Sequence, residues 1–265
     1  MSMETDQRKS EVLCDLQRNG LKILQSPEHF CFGIDAVLLS AYAAEHIQPG
    51  SRVLDLGTGT GIIPILLSAR TKAAQLTGLE IQAECAEMAR RSVQLNDLGY
   101  RVEIVTGDLK DDPSLYAKGS FDAVTCNPPY MPAGAGLKNP AGPLAIARHE
   151  VLCSFGDIAA AAAHVVKPGG HLCLVHRPFR LPELFETLKD HRLEPKEMQL
   201  VSPYADREPN LVLLDCVHQG RPGLRVDRPL IVYDAPGRYT QMTMEIYYGA
   251  KQPDRPCTRE GKEDS

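Results

Sequence analysis

The run Arg52-Val53-Leu54-Asp55-Leu56 ends in Gly57-Thr58-Gly59-Thr60-Gly61 and restarts at once as the helical pattern Ile62 to Arg70. A short buried strand that turns through three glycines into a helix points backbone N–H groups and a helix N-terminus at one ligand, because glycine lets the chain approach closely. The chain is thereby restricted to folds in which strands feed helices at a ligand site. The same alternation continues with a strand at Ala74 to Glu80, a helix at Gln82 to Leu95, and strands at Arg101 to Val105 and Phe121 to Cys126. A helix at Asp157 to Val166, a strand at His171 to His176 and a helix at Leu181 to Asp190 follow. Such alternation implies parallel βαβ crossovers. Two last strands, Lys196 to Val201 and Asn210 to His218, have no helix between them and are expected as a hairpin. The expected fold is α/β, a Rossmann-like open sheet of seven strands with helices on both faces and ligands at the carboxyl ends of the strands.

Ahead of this sheet, Asn19-Gly20 separates two alternating stretches, Val12 to Leu16 and Leu21 to Gln25, which predicts a small hairpin with a two-residue turn. A helix opens at Asp35 and closes at Pro49-Gly50. The chain therefore divides into residues 1–50, a hairpin and helix packed on the core; 51–218, the sheet domain; and 219–265, a Pro-, Gly- and Arg-rich extension with a disordered tail. No apolar run reaches the ~20 residues of a membrane helix, and the first fifteen residues lack the apolar stretch of a signal peptide, so a cytoplasmic location is expected. Eight cysteines without a C-x-x-C pair fit free thiols in a reducing compartment, and no metal is expected. The net charge of −5 excludes a protein that coats nucleic acid indiscriminately, although residues 217–259 hold seven Lys or Arg against four Asp or Glu.

The nicotinamide fingerprint G-x-G-x-x-G, started at Gly59, needs a glycine where Pro64 stands. The register is instead D-x-G-x-G-x-G, from Asp55 to Gly61. Glu80, closing the second strand nineteen residues later, is placed to accept from two ribose hydroxyls, and Asp108, past the third strand, from an adenine amino group. An adenosine without a pyrophosphate fits that set, and S-adenosylmethionine is the expected cofactor. Asp55, Gly57, Gly59, Gly61, Glu80 and Asp108 are its expected contacts, together with Asn127 at the end of the fourth strand.

At the end of the fourth strand stands Asn127-Pro128-Pro129-Tyr130. An amide or exocyclic nitrogen is a poor nucleophile because its lone pair is delocalised. The Asn127 side-chain oxygen and the Pro128 carbonyl can each accept one N–H of a planar NH2 and favour a tetrahedral nitrogen, while the prolines stiffen the pair. Tyr130 offers a ring for stacking. Residues 131–147, rich in proline and glycine, are expected to form a substrate lid. Arg148-His149-Glu150 reads either as a charged helix N-terminus or as a substrate contact, and Arg177 belongs to the basic segments expected to meet phosphates. His171 and Cys173 share a strand face that His176 does not, so this stretch makes no local metal cage.

These residues resemble the S-adenosylmethionine methyltransferases of class I that methylate amino groups through NPPY. The stretches LKILQ (21–25), FCFGIDAVLL (30–39), DLGTGTGIIPILL, ARHE (147–150) and GGHLCLVHRP (169–178) resemble, more narrowly, the bacterial tRNA1(Val) adenine-37 N6-methyltransferase family, over residues 12–218. The resemblance implies a class I methyltransferase sheet and N6-methylation of a tRNA adenine. It implies that Asn127 and Pro128 receive the amino group, that Tyr130 stacks, and that Asp35 walls the cofactor pocket; taken by itself, Asp35 could equally cap its helix. The release-factor glutamine methyltransferases, which use NPPY on a protein amide, are the second reading, but they carry a helical N-terminal domain where this chain has a hairpin. Methylation of another RNA base is a further alternative.

Overall fold

A computed structural model describes residues 11–26, 33–111, 115–128 and 153–249. Strands β1 (Val12–Asp15) and β2 (Lys22–Gln25) form the expected antiparallel hairpin, with one correction. Asp15 pairs with Lys22 and the Leu16 N–H donates to the Leu21 carbonyl, so the connection is the four residues 17–20. Asn19 and Gly20 do take the left-handed conformations of a primed turn, closed by the Leu21 N–H on the Arg18 carbonyl, but Gln17 is also left-handed and shifts the register by two. The hairpin is fastened to helix α3 (Ala83–Leu95). The Leu24 N–H donates to Ser92 Oγ, Asn96 bridges both backbone groups of Lys22, and Arg91 grips Glu11 through its two terminal guanidinium nitrogens.

The main sheet contains the seven expected strands: β3 (Arg52–Leu56), β4 (Gln75–Glu80), β5 (Val102–Thr106), β6 (Phe121–Cys126), β7 (Val166–His176), β8 (Leu193–Ser202) and β9 (Leu211–His218). Their spatial order is β8-β9-β7-β6-β3-β4-β5, with β9 antiparallel to both neighbours and the pairs from β7 to β5 parallel. Helices α1 (Ile34–Ala44), α2 (Ile62–Arg70) and α3 cover one face, and α4 (Phe155–Val165) and α5 (Leu181–Asp190) the other. The chain runs from β3 outward to β5 and returns on the other side of β3 as β6, so the strand order reverses between β3 and β6. A crevice opens at such a point because the two following connections leave in opposite directions.

Beyond His218 the sequence reading expects no regular element, whereas the structure forms several. Strands β10 (Arg225–Val226) and β11 (Leu230–Ile231) pair parallel with β8, and β12 (Tyr233–Ala235) pairs with β13 (Arg238–Tyr239). Helix α6 (Gln241–Tyr248) follows, capped by Thr240. The rings of Tyr204, Tyr233, Tyr239 and Tyr247 stack in succession at 5.5, 5.1 and 5.1 Å, and aromatic packing of this kind holds proline- and glycine-rich chain in place. Arg18 and Arg70 both donate to the Ile246 carbonyl in the last turn of α6, which ties the extension to the hairpin and to α2. The expected tail, residues 251–265, lies outside the described residues, as do Phe30 and Phe32. Among the described residues no helix is long and apolar enough to cross a membrane.

Candidate functional site

Sheet register gathers the predicted residues. Leu56 at the end of β3 faces Leu79 on β4 and Cys126 on β6, so the chain leaves these three strands side by side as Gly57, Glu80 and Asn127. Glu80 in turn faces Thr106, which carries Asp108 to the same edge. All three loop glycines adopt positive φ, +67° at Gly57, +57° at Gly59 and +83° at Gly61. A side chain at Gly57 or Gly59 would meet nothing within 4 Å, so the loop borders open space. At Gly61 a Cβ would press on Ala89 of α3 at 3.1 Å, so this glycine sets helix packing.

Glu80 is buried, and its carboxylate holds the loop: the Gly59 N–H donates to Oε2 at 2.8 Å and the Gln82 N–H to Oε1 at 2.9 Å. Each oxygen keeps a second lone pair, so the residue both shapes the loop and retains acceptor capacity. Asp108 accepts from the Lys110 N–H at 2.9 Å with the Lys110 ammonium 3.8 Å away, leaving its carboxylate partly exposed at the edge. Asp55 is buried on β3 opposite Thr125 of β6, whose hydroxyl donates to it at 2.6 Å. Burial pushes its carboxyl up to about 7, with the Glu80 charge adding to the rise against the Thr125 and Thr58 hydroxyls. A group that changes charge near neutrality therefore lies directly before the glycine loop.

Asn127 is half-buried and Pro128 buried, both immediately beyond β6. Tyr130, Arg148 and His149 lie outside the described residues, as does the predicted lid. Arg177 lies just past β7, donating to the Asn210 carbonyl at 2.9 Å. Its backbone N–H donates to His176 Nδ1 at 2.8 Å, and burial lowers the His176 pKa to about 4, with the Arg180 charge contributing. His176 is thus held neutral at the end of β7, with Nδ1 accepting from the backbone. Asp35 is buried in the first turn of α1, where Gly33 occupies the cap position, and it accepts from the Ala36 N–H at 3.0 Å. The carboxylate is favoured there by the helix dipole.

Sequence reasoning overlooks Gly78 and Thr58. A Cβ at Gly78 would lie 2.7 Å from Thr58 Cγ2, 2.8 Å from Thr58 Oγ1 and 2.9 Å from Ile104 Cδ1, so the bare strand position is what lets the glycine loop seat. An isolated glycine inside a strand was the available signal. Gly78→Ala is expected to cost about 1–3 kcal/mol by overpacking, lowering the melting temperature by about 2–4 °C per kcal/mol in a scanning calorimeter. An unchanged melting temperature would show that Thr58 moves aside freely.

The site lies within known company. Residues 33–191 match the family model described as "Methyltransferase small domain". A tRNA1(Val) (adenine(37)-N6)-methyltransferase from Porphyromonas gingivalis is 31% identical over 78% of this chain and 83% of its own length. One from Aeromonas salmonicida is 30% identical over 81% and 89%. Among solved structures, a "predicted O-methyltransferase" from Agrobacterium tumefaciens matches with TM-score 0.65 and 26% identity, over 81% of this chain and 96% of that one. A geranyl diphosphate C-methyltransferase from Streptomyces coelicolor, solved with S-adenosyl-L-homocysteine, shares the fold with TM-score 0.51 at 14% identity, over 68% of this chain and 75% of that one.

Proposed function

Because the chain belongs to the methyltransferase small domain family and, within it, to the tRNA1(Val) (adenine(37)-N6)-methyltransferases, we propose that it methylates N6 of adenine 37 in tRNA1(Val) with S-adenosylmethionine. The observation that carries this reading is the shared edge of Gly57, Glu80, Asp108 and Asn127-Pro128 at the reversal of strand order. The donor set fits the cofactor. Open space beside Gly57 and Gly59 admits it against backbone, Glu80 offers lone pairs to ribose hydroxyls, and Asp108 offers an acceptor to an adenine amino group. When bound, S-adenosylmethionine supplies an electrophilic methyl group.

In this reading Asn127 and the Pro128 carbonyl each accept one N–H of the target amino group, which localises the nitrogen lone pair. Tyr130 stacks on the base, and an unpaired anticodon-loop adenine reaches such a pocket at lower cost than a paired one. No general base is needed, because the acceptors act by position and charge distribution. Arg148, His149 and Arg177 are assigned to the tRNA. Arg180, Arg225 and Arg238 are each paired with a carboxylate of this chain, whereas Arg221 and Arg228 have none within 4 Å among the described residues and remain available to phosphates.

The deciding experiment offers labelled S-adenosylmethionine with total tRNA from a strain lacking the enzyme, and separately with release factor. Label in tRNA is expected; label in the protein with unlabelled tRNA would turn the assignment to a glutamine methyltransferase. Affinity for tRNA should fall about tenfold or more between about 50 and 200 mM salt, since neutralised phosphates release counterions. A flat response in a filter-binding titration would argue against phosphate contacts.

A further inference from the structure

Register lines up one polar row across the sheet beneath α1: Asp55, Thr125, Cys173, Asp215, Glu197 and Arg225 stand opposite one another on successive strands. Two strands along from β6, this row meets two imidazoles. His171 Nδ1 lies 2.9 Å from Asp215 Oδ1, and His46, just past the C-terminal end of α1, places its Nδ1 3.7 Å from Asp215 Oδ2. One ligand atom from each of the three residues falls within a 4.8 Å span. We propose that His46, His171 and Asp215 form a binding site for one divalent transition-metal cation of the zinc class, separate from the methyl-transfer site.

Three observations support a cation there over a self-contained hydrogen-bond network. Both imidazoles present the same nitrogen to one carboxylate, and ligand bonds of about 2.0–2.2 Å are reached by rotating side chains to draw the more widely spaced donors together. His46 Nε2 is buried without a hydrogen-bond partner, and Glu197 Oε2, held by Arg225 at 2.6 Å, lies 3.8 Å from it, on the side where an outer carboxylate accepts a hydrogen bond from the N–H of a metal-bound imidazole. The surrounding charge is also negative. Glu197 and Asp227 share the Arg225 guanidinium, while Asp215 has no Lys or Arg within 4 Å among the described residues, in a place where its side chain is only 2% exposed and that of His46 10%. A divalent cation would balance this excess. His171, 29% exposed, provides the entrance and a side from which water completes the coordination. Imidazole and carboxylate donors in a site with an open position suit zinc, cobalt or nickel better than calcium or magnesium. Bound there, the ion would fasten the end of α1 to β7 and β9.

The sequence reading expects no metal because it looks for ligands at close spacing, and residues 46, 171 and 215 have none. The test uses the untagged full chain, stripped with chelator and titrated with Zn2+ by calorimetry and with Co2+ by visible absorption. One cation per chain, cobalt d–d bands of a low-coordinate site and a melting temperature raised by Zn2+ are expected, since a ligand that binds only the folded state stabilises it. His171→Gln and His46→Gln should each weaken Zn2+ binding at least about tenfold, equivalent to about 1.4 kcal/mol, while His191→Gln leaves it intact. Circular dichroism establishes that the variants fold. Absence of stoichiometric binding to the unmodified chain, or binding that survives both substitutions, would overturn the site.

Discussion

Asn127→Ala lowers the single-turnover rate of methylation by about 10²–10³-fold at saturating cofactor, while S-adenosylmethionine affinity changes by no more than about twofold. The magnitude follows from removing one preorganised polar contact that acts on the reacting group, by analogy with a lost oxyanion-hole donor. The selectivity follows from position. Asn127 directly follows β6, beside the start of the glycine loop but outside the Glu80 hydrogen bonds that shape it. Tyr130→Ala should act through substrate binding and orientation, and Tyr130→Phe should be mild because stacking uses the ring face. Rapid-quench assays with tRNA separate these cases. If Tyr130→Phe proved as damaging as Asn127→Ala, the hydroxyl would have a chemical role and the acceptor-pair account would fail.

Glu80→Ala is expected to weaken S-adenosylmethionine binding by at least about tenfold, and to lower the melting temperature as well. Both follow from one carboxylate serving two purposes. Hydrogen bonds to an ionised acceptor contribute about 1.5–3 kcal/mol each, and the substitution leaves the Gly59 and Gln82 N–H groups without their acceptor. Glu80→Gln should fall between the two, since its amide keeps one acceptor but turns an NH2 toward a backbone donor. Isothermal titration with the cofactor and thermal unfolding of the unliganded chain report the two effects independently. Lost stability with unchanged cofactor affinity would mean that Glu80 holds the loop but does not meet the ribose.

Most of the sheet was legible because each strand is a short apolar run bounded by turn residues, and α2, α5 and β6 end where their patterns end. The site was legible for a topological reason: in a parallel sheet every βα connection emerges at the same edge, so residues closing successive strands must meet. Legibility failed where partners are distant. Strand β7 begins at Val166, five residues earlier than expected, because Lys167-Pro168-Gly169-Gly170 reads as a breaker. The pairing accommodates it with an irregularity opposite Phe121 to Ala123, and Gly170 approaches the Asp122 carbonyl so closely that a Cβ would stand 2.7 Å from it. The polar row from Asp55 to Arg225 is likewise invisible in one dimension, since its members alternate with core residues on six different strands. The four-residue hairpin loop turns on a left-handed Gln17, which no propensity favours.

Strand β8 is ten residues long and would be the outermost strand on its side of the sheet. Its outward N–H and C=O groups are engaged by four residues in two short strands, β10 opposite Glu197 and Met198 and β11 opposite Val201 and Ser202, with the Asp227 and Val232 N–H groups donating just beyond them. A long bare edge is a template for the next chain, and nascent chains of an α/β protein pass through states in which such edges are open. The segment after His218 therefore also governs solubility: an alteration that detaches β10 and β11 exposes an edge onto which other copies can add, and loss of the protein would then proceed through aggregation before any change in catalysis could be measured.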